Sequence, residues 1–165
     1  MGRRNVLITL DGSELSTRIL AVVRGLFPPD QAELTFLRIA QPLIEPPVAA
    51  YVHAQQTLPD IQLAHWDRQL AEQEWTAYLQ AIREELNNEA VALRNDGYTV
   101  HTVVETGVPV DAIADYITKH PIDLLAMATH GRRGLSKMML GSVAEQLLRQ
   151  LPIPILLIRP GGDGG

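Results

Sequence analysis

The stretch Ile122-Asp123-Leu124-Leu125-Ala126-Met127, followed by Ala128-Thr129-His130-Gly131-Arg132-Arg133-Gly134-Leu135-Ser136-Lys137-Met138-Met139-Leu140-Gly141-Ser142-Val143, decides how this chain is read. A short apolar run passes into a glycine-bearing segment and then into the helix-like stretch Ala144 to Arg149. A buried strand that leads through glycines to a helix start turns backbone N–H groups outward, where a phosphate can accept them. Gly131 and Gly134 are three apart, whereas nine residues separate Gly131 from Gly141, with Ser142 directly after it. The second pair is the informative one: Gly131 frees φ at the strand exit, and Gly141 admits a ligand where a Cβ would collide. Ser142 is expected to cap the final helix and to add its hydroxyl to the same phosphates. Neither G-x-x-x-x-G-K-[ST] nor a G-x-G-x-x-G opening a βαβ unit is present, and on spacing alone a structural turn stands beside the phosphate reading.

Working outward, the same strand, turn, helix order repeats. Asn5 to Leu10 is a nearly continuous apolar run ending at Asp11-Gly12-Ser13-Glu14, as expected of a strand buried on both faces. Ser13 or Ser16 caps a helix carrying Leu15, Ile19, Leu20, Val22 and Val23, which Pro28-Pro29 stops. Leu34 to Ala40 is a second strand, and Arg38 within it suggests one face near solvent or a ligand. The prolines between Pro42 and Pro59 mark an irregular excursion. From about Asp60 to Asn95, Trp66, Leu70, Trp75, Leu79, Ile82, Leu86, Ala90 and Leu93 recur at helical steps, which predicts one long helix with both tryptophans largely buried. Tyr98 to Glu105 is a third strand, and Gly107-Val108-Pro109-Val110-Asp111 opens a helix. Ile122 to Met127 is the fourth strand, Ala144 to Gln150 a short helix, and Ile153 to Ile158 a last strand with Pro154 inside it, which implies a sheet edge. Such alternation predicts an α/β fold: an open, parallel, five-stranded sheet with helices on both faces and right-handed crossovers. Residues 1–160 form one domain in this reading, and 161–165 a flexible glycine-rich tail.

Composition limits the function classes. The chain has 165 residues, 46% of them hydrophobic, enough for a sizeable core. A formal charge of −5 argues against general nucleic-acid binding, which needs basic surface. With no cysteine, disulfides, thiolate metal sites and cysteine nucleophiles are excluded. No run approaches the roughly 18 apolar residues of a membrane span, and Met1-Gly2-Arg3-Arg4 begins no signal region, so a soluble cytoplasmic protein is expected. His53, His65, His101, His120 and His130 show no metal-ligand spacing, and no serine, histidine and aspartate triad can be identified. Arg132, Arg133 and Lys137 are either counter-charges for a polyphosphate or an ordinary solvated face. Asp11 is either a hydrogen-bond acceptor for a ribose or an amine, or the first residue of an Asx turn before Gly12.

At this point the chain resembles the universal stress protein family over nearly its whole length. Val6 to Ser13 resembles the family's opening strand and Asp-Gly-Ser turn, Glu105-Thr106-Gly107-Val108-Pro109 its third-strand exit, and Thr129 to Glu145 its ATP loop. The ATP-binding branch carries G-x-x-G, nine residues, then G-[ST]. Here Gly131, Gly141 and Ser142 occupy the second, third and hydroxyl positions, and Ala128 stands at the first. The resemblance implies sheet order 3-2-1-4-5, with a crevice between the first and fourth strands. It implies ATP with Mg²⁺ as ligand, Thr9 and Asp11 near adenine or ribose, and Ile39 against the base. Met127, Ala128, His130, Gly131, Arg132, Gly141, Ser142 and Val143 are the further implied binding positions. It also implies a stress-response regulator that is at most a weak ATPase, with no catalytic residues and no protein metal ligands. A homodimer through Ile153 to Ile158 is the partner it implies; the charge and the short apolar runs lead us to expect neither nucleic acid nor membrane as a partner. The competing reading is a dimeric interaction module of the same fold that does without nucleotide, which the Ala128 substitution permits.

Overall fold

Two residue periods, 2 along the strands and 3.6 along the helices, decide which side chains meet across the sheet. The computed structural model describes residues 2–41, 61–129 and 141–159, with side chains of the long helix described from residue 70 onward. Its elements are β1 (Arg4–Thr9), α1 (Glu14–Leu26), β2 (Ala32–Ala40), α2 (Ile61–Asn95), β3 (Thr99–Thr106), α3 (Pro109–Lys119), β4 (Leu124–Ala128), α4 (Ser142–Gln150) and β5 (Ile155–Ile158). All strand pairs are parallel, in the order β3-β2-β1-β4-β5. The expected architecture and strand order are both present.

Alternation along the strands divides the core into two layers. Val6, Ile8, Leu34 and Phe36 face α1 and α2, meeting Ile19, Val23, Ile82, Leu86 and Leu93. Leu7, Leu37, Leu125 and Met127 face α3 and α4, meeting Val110, Ile113, Ile117 and Leu147. β1 is buried on both sides, which is why its sequence is almost uniformly apolar.

Several boundaries differ from the sequence reading, each for a local reason. β4 starts at Leu124, two residues later than expected, because Asp123 is held outside the ladder: its carboxylate accepts from Asn5 N at 2.7 Å. β5 starts at Ile155, so Pro154 precedes the strand rather than lying inside it, and its carbonyl accepts Leu125 N at 3.1 Å. The proline thus loses no ladder donor. β3 runs from Thr99 to Thr106, one residue later than expected; Tyr98 instead packs in the core and donates its hydroxyl to Phe27 O at 2.6 Å. Ser13 is the cap of α1, accepting from Ser16 N, whereas α4 begins at Ser142 with Gly141 as its cap residue and no side-chain cap. Ser142 is therefore the first helical residue, not the cap.

The long helix is as expected in extent, but its stripe is not buried throughout. Leu70 is 56% exposed and Trp75 only half-buried, its ring 5.5 Å from that of Tyr78, while Ile82, Leu86, Ala90 and Leu93 are buried. Thirty-five helical residues extend about 50 Å. The nine residues of β2 span only about 30 Å, so the helix is longer than the strands it covers. The side chain of Trp66, the excursion Pro42 to Pro59 and the tail 161–165 lie outside the described residues.

This distribution predicts a sharp contrast along one helix. Leu86→Ala should destabilise the fold by about 2–5 kcal/mol through the cavity it leaves. Leu70→Ala, on the same predicted stripe, should stay within about 0.5 kcal/mol. Urea denaturation of the two variants measures both.

Candidate functional site

β1 pairs with β2 on one side and β4 on the other, with Val6 opposite Leu124, Leu7 opposite Leu125 and Ile8 opposite Ala126. The chain leaves β1 for one flank of the sheet and β4 for the other, so the loops beyond their carboxyl ends part and leave a crevice. A cleft of about 790 Å³ occupies that end of the sheet, within the size range of small-molecule sites.

The cleft has two walls, set by the strand alternation. On the α3 and α4 side stand Thr9, Ile39 and Met127, with Gly141, Ser142 and Val143 at the start of α4. On the α1 and α2 side stand Leu10 and Arg38, with Ser16, Tyr78, Ala81 and Glu85. Asp11 and Gly12 sit at the mouth, and Ala128 and Thr129 at the end of β4. Eight of the sequence-derived positions therefore line one cleft: Thr9, Asp11, Ile39, Met127, Ala128, Gly141, Ser142 and Val143. His130, Gly131 and Arg132 lie outside the described residues, as do Arg133 and Lys137.

Each wall has a local cause. Asp11 Oδ1 accepts both Ser13 N at 2.9 Å and Ser13 Oγ at 2.7 Å, so Asp11 forms the Asx turn and also lines the cleft. Gly12 follows with φ +86°, a conformation that favours glycine. Ala128 ends β4 in ladder register with Ile158, and no described residue other than glycine has a positive φ. Its Cβ is thus borne on ordinary extended backbone. Thr129, buried, closes the strand by donating from N and Oγ1 to Ile158 O, at 2.8 and 3.3 Å. The first amides of α4 have no intrahelical acceptor, and Gly141 at the cap position has no side chain to offer them.

Electrostatically the α1 and α2 wall is unusual. Arg38 is only 7% exposed, so its side chain turns to neither solvent nor the apolar core. Its Nε donates to Leu10 O at 2.9 Å, Nη1 donates to Glu85 Oε2, and Nη2 lies 3.7 Å from Glu89 Oε1. Burial pushes the Glu89 carboxyl above the ordinary glutamate value; Arg38 opposes this, and Glu85 and Asp11 add to it. His101 and His120 are engaged elsewhere, with Glu33 and with the Tyr116 ring. The described residues hold no group of three or more His, Cys, Asp or Glu side chains that could bind a metal. Among them there is also no helix long and apolar enough to cross a membrane.

Sequence reading found the β1 and α4 contributions and missed those of α2. Tyr78, Ala81 and Glu85 carry no local signal, since only the packing of α2 brings that face to the strand ends. Arg38 did carry one, a lone cation in an apolar strand.

Compared with known families, residues 2–159 match the universal stress protein family. The chain belongs to that family. Universal stress protein MJ0531 of Methanocaldococcus jannaschii is 31% identical over 93 residues, which cover 54% of this chain and 55% of that protein. Over that relative the chain thus spans about half the length. Universal stress protein YxiE of Bacillus subtilis is 23% identical over 162 residues, covering 93% and 97%. Among solved structures, hypothetical protein MJ0577 superposes with a TM-score of 0.73 at 16% identity, covering 99% of this chain and all of that one. A universal stress protein in complex with cAMP gives 0.61 at 20% identity, covering 96% and 98%. A family member from Arabidopsis thaliana with AMP bound gives 0.60 at 15%, covering 97% and 94%. These structural likenesses establish the shared fold.

The raised Glu89 pKa fixes the sign of one pH effect. Because the folded state holds the proton more tightly than the unfolded chain, Glu89 contributes stability that declines as pH rises past the ordinary glutamate value. Glu89→Gln removes that proton. The stability difference, wild type minus variant, should therefore fall as pH rises above the ordinary glutamate value in denaturant titrations, and a flat difference would contradict the shift.

Proposed function

We propose that this chain binds an adenine nucleotide across the cleft, with ATP and Mg²⁺ as the physiological form, and acts as a stress-response regulator in the cytoplasm. The observation that carries the reading is the pairing of two unlike ends in one crevice. The acidic Asp11 turn at the mouth and the apolar Ile39 on the α3 and α4 wall suit a ribose and a base, which offer hydrogen-bond donors and a flat apolar face. At the start of α4, where the cap residue is a glycine, the helix offers N–H groups and positive dipole, which suit phosphate. The cAMP and AMP complexes of two structural neighbours support an adenine nucleotide as the ligand class.

In this reading Thr9, Asp11, Ile39 and Met127 receive the nucleoside, and Ala128, Gly141, Ser142 and Val143 receive the phosphates, with His130, Gly131 and Arg132 completing the loop. Mg²⁺ enters with the phosphates, since it keeps most of its waters and needs few protein ligands. We read any hydrolysis at this site as slow or absent. We further read residues 1–160 as one domain and β5 as the homodimer edge. All four of its residues are partly exposed, and an apolar edge strand invites a second chain.

Titration calorimetry of Mg-ATP into three proteins tests the binding reading. The parent and Ala128→Gly should bind within about threefold of each other, a difference of roughly 0.6 kcal/mol. Gly141→Val, which inserts a branched side chain at the phosphate wall, should abolish binding. No heat for the parent with clear binding by Ala128→Gly would mean that the alanine Cβ closes the cleft, and the nucleotide-free interaction module would replace this reading.

A further inference from the structure

The Asp11-Gly12-Ser13 turn is joined to the rest of the molecule by an unusual device. Arg38 projects from β2 beneath it, buried, and one guanidinium contacts three parts of the fold. Nε donates to Leu10 O, the carbonyl immediately before the turn, at 2.9 Å. Nη1 and Nη2 reach Glu85 and Glu89, one helical turn apart on α2. Gly12 rests on the guanidinium: a Cβ built there would lie 3.3 Å from both Nη1 and Nη2, while its φ of +86° already disfavours other residues. The turn therefore touches Arg38 through a backbone carbonyl and through a glycine that has no side chain to separate them.

The network is also incompletely satisfied. Arg38 Nη2 and Glu89 Oε2 are buried and make no hydrogen bond among the described residues. Arg38 is buried while Glu85 is largely exposed and Glu89 partly so, and a buried guanidinium in this state is a poor device for stability, because its desolvation offsets much of the attraction. A fold that needed only to fill this space would be served equally well by two methionines. A fixed fork geometry is what methionine cannot supply.

We propose that Arg38 is a positioning residue: its fork fixes the Asp11 turn against α2, and so sets the nucleoside end of the cleft. The inference rests on the nucleotide reading above for its ligand, and on the local geometry alone for the turn. Arg38 lines the cleft, but its guanidinium faces Leu10 O, Glu85 and Glu89, and in this scheme it acts through the turn. It acts by presenting Leu10 O, Gly12 and hence Asp11 in one arrangement before the ligand arrives, so that no ordering has to accompany binding.

The test uses the full-length protein in three forms: wild type, Arg38→Met, and the double variant Arg38→Met with Glu89→Met. The single variant leaves the partly buried Glu89 carboxyl without its cation and should lose stability; the double variant removes both groups and should recover most of the lost melting temperature. Affinity should not recover with it. Mg-ATP should bind the double variant about tenfold or more weakly than wild type, as a displaced binding group would cause. In the nucleotide-free protein, amide exchange at Leu10 and Ser13 should speed up about tenfold while Leu125, in the core, keeps its protection. A double variant that binds Mg-ATP like wild type, or that keeps wild-type exchange at Leu10 and Ser13, would overturn the proposal. If wild type itself binds no nucleotide, the ligand reading fails separately, and the exchange measurement alone still decides whether Arg38 positions the turn.

Discussion

The structure depends on β1 being buried on both faces at the centre of a parallel sheet. A strand so placed has to be apolar on both alternating sets of side chains, and Val6, Leu7 and Ile8 are all essentially inaccessible. Parallel pairing on both flanks also requires the chain to leave its carboxyl end by a crossover. With β2 on one side and β4 on the other, the crossovers from β1 and β4 run to opposite flanks. The crevice follows from this constraint and is not a separate invention of the loops. What the loops add is chemistry: an acidic turn after β1 and a glycine-capped helix start at α4.

The α2 helix gives the site a component that a minimal strand and helix alternation would lack. Its C-terminal half seals the sheet with Ile82, Leu86, Ala90 and Leu93, and the same helix presents Tyr78, Ala81 and Glu85 at the cleft. One element thus contributes to the core and to the binding wall, separated by less than two helical turns. Arg38 connects the two, since its partners Glu85 and Glu89 flank the buried Leu86 on that helix.

Much of this was legible in the sequence, for reasons that can be named. The uninterrupted apolar run at β1, the glycine and proline punctuation, and the repeated order of strand and helix were sufficient for the fold class. The Asp11 turn and the Gly141 region were legible because a strand exit is where such sheets bind ligands. Strand order was not legible from periodicity, which carries no information on neighbours, and came from the family resemblance. The burial limit of the long helix was hidden because a periodic stripe continues regardless of whether a sheet lies beneath it, as Leu70 demonstrates. Ser142 was misread as a cap because hydroxyl residues favour that position; here Gly141, one residue earlier, has the non-helical backbone the cap requires. Arg38 stood out as a lone cation, but its three partners lie 28, 47 and 51 positions away and only the fold assembles them.

The central claim is that the strand-end crevice between β1 and β4 receives an adenine nucleotide, with the acidic turn and the α4 start at its two ends. Backbone amide shifts of isotopically labelled protein, followed as Mg-ATP is added, test it directly. The account predicts that saturable changes concentrate at Thr9 to Ser13, at Ile39, at Ala128 and Thr129, and at Gly141 to Ala144. Changes confined to β5 or the outer faces of α3 and α4, or no saturable change at all, would contradict it.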